Sequence, residues 1–441
     1  MDSHGAAGDR IAPLIVRGKE NRAGLFSWAL YDWANSPFAS IIETFIFAAY
    51  FTRSVAAGEA IGSAQWGTMV GSAGLLIAAG GPVLGAIADQ SGRRKPWIGF
   101  FTLLCAAATM LLWFVEPSPA FAMLGLVLAG IGIVGAEYSV IFYNAMLSSL
   151  APAERMGRWS GWGWGLGYAG GLASLIVALF AFIRPENPWL NLNREAAEHV
   201  RITFPLAGVW LLLFAIPLFL FTPDQRTGRA ARAVGDGLRQ LRDSFAHVRR
   251  YSGILRFLIA RMIYIDGLTT IFVFGGVYAA GTFNMTEQDV LLFGIALNVT
   301  AGIGAAVFGW VDDWIGSKRT ILLSLVGLVI PVVFMLKTNS ASLFWTWGLM
   351  LGIFVGPAQA ASRSYLARVA PEHLQTQMFG LFAFSGKATS FIGPLLVGWI
   401  TYWAGSQRTG MTVIVVMLAL GFLLMLTVPN DKKRLGVPHK R

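Results

Sequence analysis

The stretch Gly85-Ala86-Ile87-Ala88-Asp89-Gln90-Ser91-Gly92-Arg93-Arg94-Lys95 returns, loosened, as Gly309-Trp310-Val311-Asp312-Asp313-Trp314-Ile315-Gly316-Ser317-Lys318-Arg319. In both copies an Asp stands four residues after the first Gly, a second Gly stands seven after it, and basic residues follow. One copy alone reads as well as an ordinary basic turn. Two copies in register, at matching points of a long apolar chain, point to internal duplication. The chemistry suits a tight turn at a membrane face. Gly allows close packing and unusual dihedrals. The basic residues stay at the interface, and the Asp can pair with them or cap a helix N-terminus.

Outward from these turns the chain is a series of apolar stretches. A spanning helix needs about 20 mostly apolar residues. Stretches of that kind fall near 25–53, 64–88, 97–115, 119–149, 158–183, 203–222, 254–283, 289–312, 320–337, 341–367, 378–403 and 409–428. The expected fold is therefore an all-α membrane protein, with twelve transmembrane helices in two pseudo-symmetric six-helix bundles. The expected segments are a tail at 1–24, one bundle at 25–222, a linker at 223–253, a second bundle at 254–428 and a basic tail at 429–441. Within the linker Leu238, Leu241, Phe245 and Val248 recur at helical spacing between arginines. They read either as an amphipathic helix on the membrane face or as a solvated linker helix. A weaker repeat joins spans 4 and 10. Leu147-Ser148-Ser149-Leu150-Ala151-Pro152 resembles Leu366-Ala367-Arg368-Val369-Ala370-Pro371, and aligning the prolines sets Asn144 opposite Arg363.

Composition agrees. Apolar residues make up 55% of the 441 and charged residues 13%, against roughly 25% charged in an ordinary soluble domain. The 51 glycines suit closely packed membrane helices. Cys105, the only cysteine, can form no internal disulfide, and the five histidines have no zinc-type spacing. The first 24 residues are too polar for a secretory signal, so the first long apolar segment should be retained as a helix.

The net charge of +11 is a topology signal. With the N-terminus placed in the cytoplasm, Lys and Arg favour the inner loops about fourfold. Both termini and the linker should then be cytoplasmic, and the membrane an inner one. Because the positive charge is divided among many short loops, nucleic-acid binding is not expected.

The paired turns, two six-span halves and the polar linker between them resemble the major facilitator superfamily over almost the whole chain. The resemblance implies that Gly85, Asp89, Gly92, Arg93 and Arg94, with Gly309, Asp313, Gly316, Lys318 and Arg319, form a cytoplasmic gate that stabilises the outward-facing state. Gln90 departs from the pattern, as do Trp314 and Ser317 in the second copy. Asp89→Asn is therefore expected to slow transport more than Asp313→Asn. A narrower likeness lies in Tyr31-Asp32-Trp33-Ala34-Asn35-Ser36-Pro37-Phe38 and in Ser385-Gly386-Lys387-Ala388-Thr389-Ser390-Phe391-Ile392-Gly393-Pro394. These are similar to a branch that includes fungal vacuolar amino-acid effluxers. The branch implies a transporter of a small solute, with amino-acid efflux as one activity, working as a monomer with protons as the coupling ion.

Charges inside a bilayer cost about 2.5–3.5 kcal/mol at a helix centre on the insertion scale, so they tend to face protein or water. The candidates are Asp32, Asn35 and Glu43 in span 1, Glu137 and Asn144 in span 4, Asp266 in span 7, Gln359 and Arg363 in span 10, and Lys387 in span 11. Arg261 of span 7 reads rather as a brace. In the resembled fold, helices 1, 4, 7 and 10 line the cavity and helices 3, 6, 9 and 12 stand outside. Spans 3, 6, 9 and 12 hold none of these residues. Asp32, Asn35, Ala39 and Glu43 share one stripe of a helix that Pro37 interrupts, and Lys387 and Ser390 share a face. The expectation is that Asp32, Glu137 and Asp266 converge with Arg363 or Lys387, and that Glu137 or Asp266 carries the coupling proton. The tryptophans read mostly as interfacial belts.

Two other function classes compete. A lipid or cell-wall-fragment flippase of the same fold is open, because fold does not fix function. A membrane-embedded enzyme is not expected. No span carries a histidine, and no Gly-x-x-x-x-Gly-Lys-Ser/Thr, His-Glu-x-x-His or Gly-x-Ser-x-Gly occurs. No cofactor or metal is implied.

Overall fold

The computed structural model describes residues 21–185, 192–224, 251–283 and 287–431, together with Arg239 and Met285. The expected linker helix lies outside the described residues apart from Arg239, as does nearly all of the N-terminal tail. Among the described residues, twelve helices are long and apolar enough to cross a membrane. They are α1 (Arg22–Val55), α2 (Ala64–Ser91), α3 (Lys95–Phe114), α4 (Pro119–Leu150), α5 (Ala153–Ile183), α6 (Glu198–Phe221), α7 (Ser252–Gly276), α8 (Leu292–Ile315), α9 (Ser317–Lys337), α10 (Ala341–Val369), α11 (Glu372–Ala404) and α12 (Gln407–Leu426). The protein is an integral, multi-pass membrane protein.

Two departures from regular α geometry fall at prolines within spans, apart from the non-α turns at the ends of α1, α3 and α5. In α1 the α-helix runs to Pro37 and gives way to a π-wound segment, Phe38–Phe45. Pro37 has no N–H to return to the Trp33 carbonyl four residues back. That carbonyl instead accepts the indole N–H of Trp210 on α6 at 3.3 Å. The wider winding breaks the regular stripe expected from Asp32 to Glu43.

The second departure corrects the reading of span 11 as one continuous helix. It consists of Gln375–Lys387 and Ile392–Ala404, with an irregular link at 388–391. Pro394 cannot donate, so the second segment starts afresh. Lys387 thereby ends the first segment instead of sharing a helical face with Ser390, whose hydroxyl turns back to the Lys387 carbonyl at 3.1 Å.

The halves meet along two helix pairs, α2 with α11 and α5 with α8. Glycines set the approach. A Cβ on Gly85 would overlap the Thr376 carbonyl, and one on Gly380 would overlap the Gly81 carbonyl. In the other pair a Cβ on Gly161 would overlap the Ala305 carbonyl, and one on Gly309 would crowd Arg158. Gly67, Gly74 and Gly81 are seven residues apart and so share a face of α2. At Gly67 and Gly74 a Cβ would meet nothing within 4 Å, and the same holds at Gly294 of α8. The same helix faces are thus packed at one end and parted at the other.

Candidate functional site

The packed end carries the repeated turns. Gly92 and Gly316 both take positive φ, 69° and 93°, Gly92 in the left-handed helical conformation and Gly316 with an extended ψ of 153°. Each terminates its helix there, which any side chain with a Cβ resists. That stop leaves the Asp three residues earlier on the last turn. Asp89 accepts the backbone N–H groups of Thr376 and Gln377 at 3.0 and 2.9 Å. Asp313 accepts those of Gly157 and Arg158 at 2.8 and 3.2 Å. Each carboxylate therefore caps the first turn of a helix in the opposite half, where the helix dipole favours negative charge.

The basic residues divide the work. Arg94 approaches Asp89 at 3.9 Å and donates its Nε–H to the Thr376 hydroxyl at 3.2 Å. Burial pushes the Arg94 guanidinium down from its ordinary value, and Asp89 and Asp224 oppose that shift. Arg93 and Arg319 are exposed, and Lys318 donates to the Leu426 carbonyl at 2.9 Å.

The second turn holds a residue that sequence reasoning passed over. Buried Asp312 accepts Arg368 at 2.5 Å, the Ser317 hydroxyl at 2.8 Å and the Ser364 hydroxyl. Arg368 also reaches Asp313 at 3.0 Å, Asp431 at 3.3 Å and the Ala153 carbonyl at 3.1 Å. Asp431 follows the last span and returns to the backbone N–H of Ser317 at 2.8 Å. In the first half Asp224, just after α6, does the same for Arg94 at 3.0 Å. Thr222-Pro223-Asp224 and Thr427-Val428-Pro429-Asn430-Asp431 are the sequence traces of this second repeat.

Deeper between the halves lies Arg363, which is 3% exposed. Its guanidinium pairs with Asp32 at 2.9 Å, reaches the Asn144 side-chain oxygen at 3.3 Å, and donates to the Ser160 hydroxyl and carbonyl at 2.9 and 2.6 Å. The ring of Trp28 lies 4.8 Å from its central carbon. Trp28 is fully buried and stacks on Tyr143 at 4.6 Å, so here a tryptophan is part of the core and not of an interfacial belt. One arginine of α10 is thus held by α1, α4 and α5 of the other half. Ser160 and the two rings carry no sequence signal that separates them from ordinary packing.

Glu137 stands seven residues from Asn144 on α4, about 10 Å further from the packed end at 1.5 Å per residue. It pairs with Lys387 of α11 at 2.6 Å, and the two side chains are 28% and 32% exposed. This pair also joins the two halves. Arg261 of α7 donates to the Phe382 carbonyl and the Ser385 hydroxyl, both at 2.7 Å, bracing α7 to α11.

The expected single constellation is therefore corrected to two separate pairs, Asp32–Arg363 and Glu137–Lys387. Asp266 joins neither. It is buried and accepts the backbone N–H of Gly393 at 3.1 Å, capping the restarted segment of α11 inside its own half. Gly393 is needed there, because a Cβ would run into Thr270. Asn35 and Gln359 also stand apart. The side-chain oxygen of Asn35 is buried and finds no hydrogen-bond partner among the described residues, and Gln359 donates to the Tyr168 hydroxyl at 3.3 Å. Among the described residues no group of His, Cys, Asp or Glu could hold a metal ion.

This architecture, two six-span halves with charge-capped helix ends between them, is that of a major facilitator transporter. The proton:xylose symporter XylE bound to 6-bromo-6-deoxy-D-glucose superposes with a TM-score of 0.71, covering 93% of this chain and 96% of that one at 15% identity. FucP in the outward conformation does so with 0.72, covering 93% and 98% at 14% identity. The chain belongs to the vacuole effluxer Atg22-like family, whose model matches residues 73–436. An uncharacterised MFS-type transporter of Bacillus subtilis, YxiO, is 27% identical over 92% of this chain and 94% of its own length. Autophagy-related protein 22 of Cryptococcus neoformans is 24% identical over 53% of this chain, which spans 47% of that relative's length.

Proposed function

We propose that the protein is a proton-driven secondary transporter that moves a small polar solute by alternating access, with amino-acid efflux as the activity to test first. The observation that carries this reading is the unequal contact between the halves. Three kinds of inter-half contact gather on one side: the two aspartate-capped helix ends, the glycine seams and the Arg363 cage. The same seam faces are free on the other side. Such a shape reaches its alternative by rocking one half against the other, without refolding either.

Under this reading both termini and the linker are cytoplasmic, the chain sits in an inner membrane as a monomer, and the packed end is the cytoplasmic gate. Lys and Arg in the loops support that orientation. The structure is then the outward-open form. Purified protein in liposomes loaded with labelled amino acids, with and without an imposed pH gradient, tests the activity. Solute movement that depends on the gradient is expected. Lipid scrambling without solute movement would replace the reading with a flippase. Cysteines introduced at His199 and Arg239 test the orientation: from outside intact cells only position 199 should react.

A further inference from the structure

The break in α11 and the carboxylate beside it leave several oxygens without partners. Asp266 of α7 is 2% exposed. Its Oδ2 accepts the Gly393 N–H at 3.1 Å, and its Oδ1 is buried with no hydrogen-bond partner among the described residues. The basic residues nearest along these two helices are turned elsewhere. Arg261 donates to the Phe382 carbonyl and the Ser385 hydroxyl, and Lys387 pairs with Glu137. Inside a span, a carboxylate without a cation is costly in its ionised form.

Further oxygens gather at the same place. A Cβ on Gly393 would meet the Thr270 hydroxyl, with Asp266 Oδ1 at 3.0 Å and the Asp266 carbonyl oxygen at 3.3 Å. Thr270 is fully buried and donates its proton to that carbonyl at 2.7 Å, which leaves its hydroxyl lone pairs open. The link 388–391 runs close by, since the Thr389 hydroxyl donates to the Met262 carbonyl at 3.4 Å, one turn of α7 before Asp266. Among the described residues no backbone N–H reaches the carbonyls of Ala388 and Ser390. Ser390 stands four residues before Pro394, which has no N–H to give it. Freed carbonyls at a broken membrane helix are hard oxygen ligands for an alkali cation. A single carboxylate balances a monovalent ion, whereas a divalent one would leave excess charge in a dry site. The close approach of Thr270 to Gly393 favours the smaller sodium over potassium.

We propose that a sodium ion binds at the break of α11, held by Asp266 Oδ1, the Thr270 hydroxyl and the free carbonyls of the link. This donor set is one carboxylate with neutral oxygens, unlike the clustered acids, cysteines and histidines that hold a transition metal. All of its members lie on α7 and α11, within one half. The ion therefore travels with that half and braces the broken helix, while Asp266 still caps the second segment. The site is separate from both ion pairs between the halves and does not depend on the transport reading.

The test is thermal unfolding of the purified full-length protein in sodium, potassium and choline chloride at equal ionic strength. Sodium should raise Tm with a saturating dependence on its concentration, as a ligand of the folded state does, and choline should not. Asp266→Asn keeps an oxygen for the Gly393 N–H but removes the charge, so its Tm should no longer respond to sodium. Thr270→Val should keep the fold and raise the half-saturating sodium concentration by about tenfold, as for lost support at a metal site. A wild-type Tm that ignores sodium, or that rises as much in potassium or choline, would overturn the proposal. So would a wild-type sodium response in either variant. Stabilisation by acid in place of sodium would assign Asp266 a proton and sink the sodium site. Should Asp266→Asn protein fail to fold, binding of radiolabelled sodium to wild-type and Thr270→Val protein decides between the same outcomes.

Discussion

The two copies of the repeated turn differ in an unexpected direction. The first, around Asp89, keeps the fuller set of basic residues, and the second, around Asp313, is the looser sequence. Yet the looser copy builds the stronger electrostatic joint. Asp89 has two backbone donors and one arginine at 3.9 Å. Asp313 has two backbone donors, Arg158 at 3.6 Å and Arg368 at 3.0 Å. Arg368 in turn ties in Asp312 and Asp431. A motif compared only with itself misses partners supplied by other spans. These contacts lead us to predict that Asp313→Asn, and not Asp89→Asn, weakens its own joint more.

The contrast can be broken most directly at Arg368. Arg368→Ala leaves Asp312, Asp313 and Asp431 without their shared cation, and unpaired buried charge costs about 3–5 kcal/mol. Thermal unfolding in detergent should show a large fall in Tm. Arg94→Ala should cost far less, and an equal fall in both would remove the asymmetry. Next in size is Asp313→Asn, expected to weaken its joint by about 2 kcal/mol through loss of charged hydrogen bonds, against about 1 kcal/mol for Asp89→Asn. Thiol-labelling rates at cysteines placed at the buried Ala305 and Ala88 report the two seams separately. Faster labelling at Ala305 in the Asp313 variant is the expected order.

The seams themselves should behave alike, which sharpens the comparison. Gly161→Ala and Gly380→Ala each drive a methyl into a backbone carbonyl of the facing helix. Both should cost about 1–2 kcal/mol, within the usual range for overpacking, and by matching amounts in a stability assay. A clear difference would mean that the pseudo-symmetry is not carried by the backbones. The smallest effect is expected at the tail caps. Asp224→Ala should cost about 0.5–1 kcal/mol, as for loss of a helix cap. Asp431→Ala should cost somewhat more, because it also releases Arg368. Equal and negligible effects in Tm would show that neither cap bears on the packed end.

Much of this was legible from the chain. Apolar lengths placed all twelve spans, and the spacing of Gly85, Asp89 and Gly92 against Gly309, Asp313 and Gly316 located both turns. Local pattern could not reveal partners brought in from far along the chain. Arg368 and Asp431 are 55 and 118 residues beyond Asp313 (368 − 313 and 431 − 313). Asp266 looked like a free acid because its donor, the Gly393 N–H, exists only if α11 is broken. The signal for that break, Gly393-Pro394, lay inside a segment whose apolar content read as an unbroken helix.

Asn144 and Arg363 occupy matching positions in the two halves, and they touch. In a twofold arrangement, only a position on the axis meets its own counterpart. At such a place a duplicated sequence confronts itself: two arginines would repel, and two asparagines would leave Asp32 without a cation. Divergence of the copies is most consequential there, since one substitution turns a self-contact into a directed one. The present pairing of an amide with a guanidinium gives the two halves different roles at the point where they were once the same.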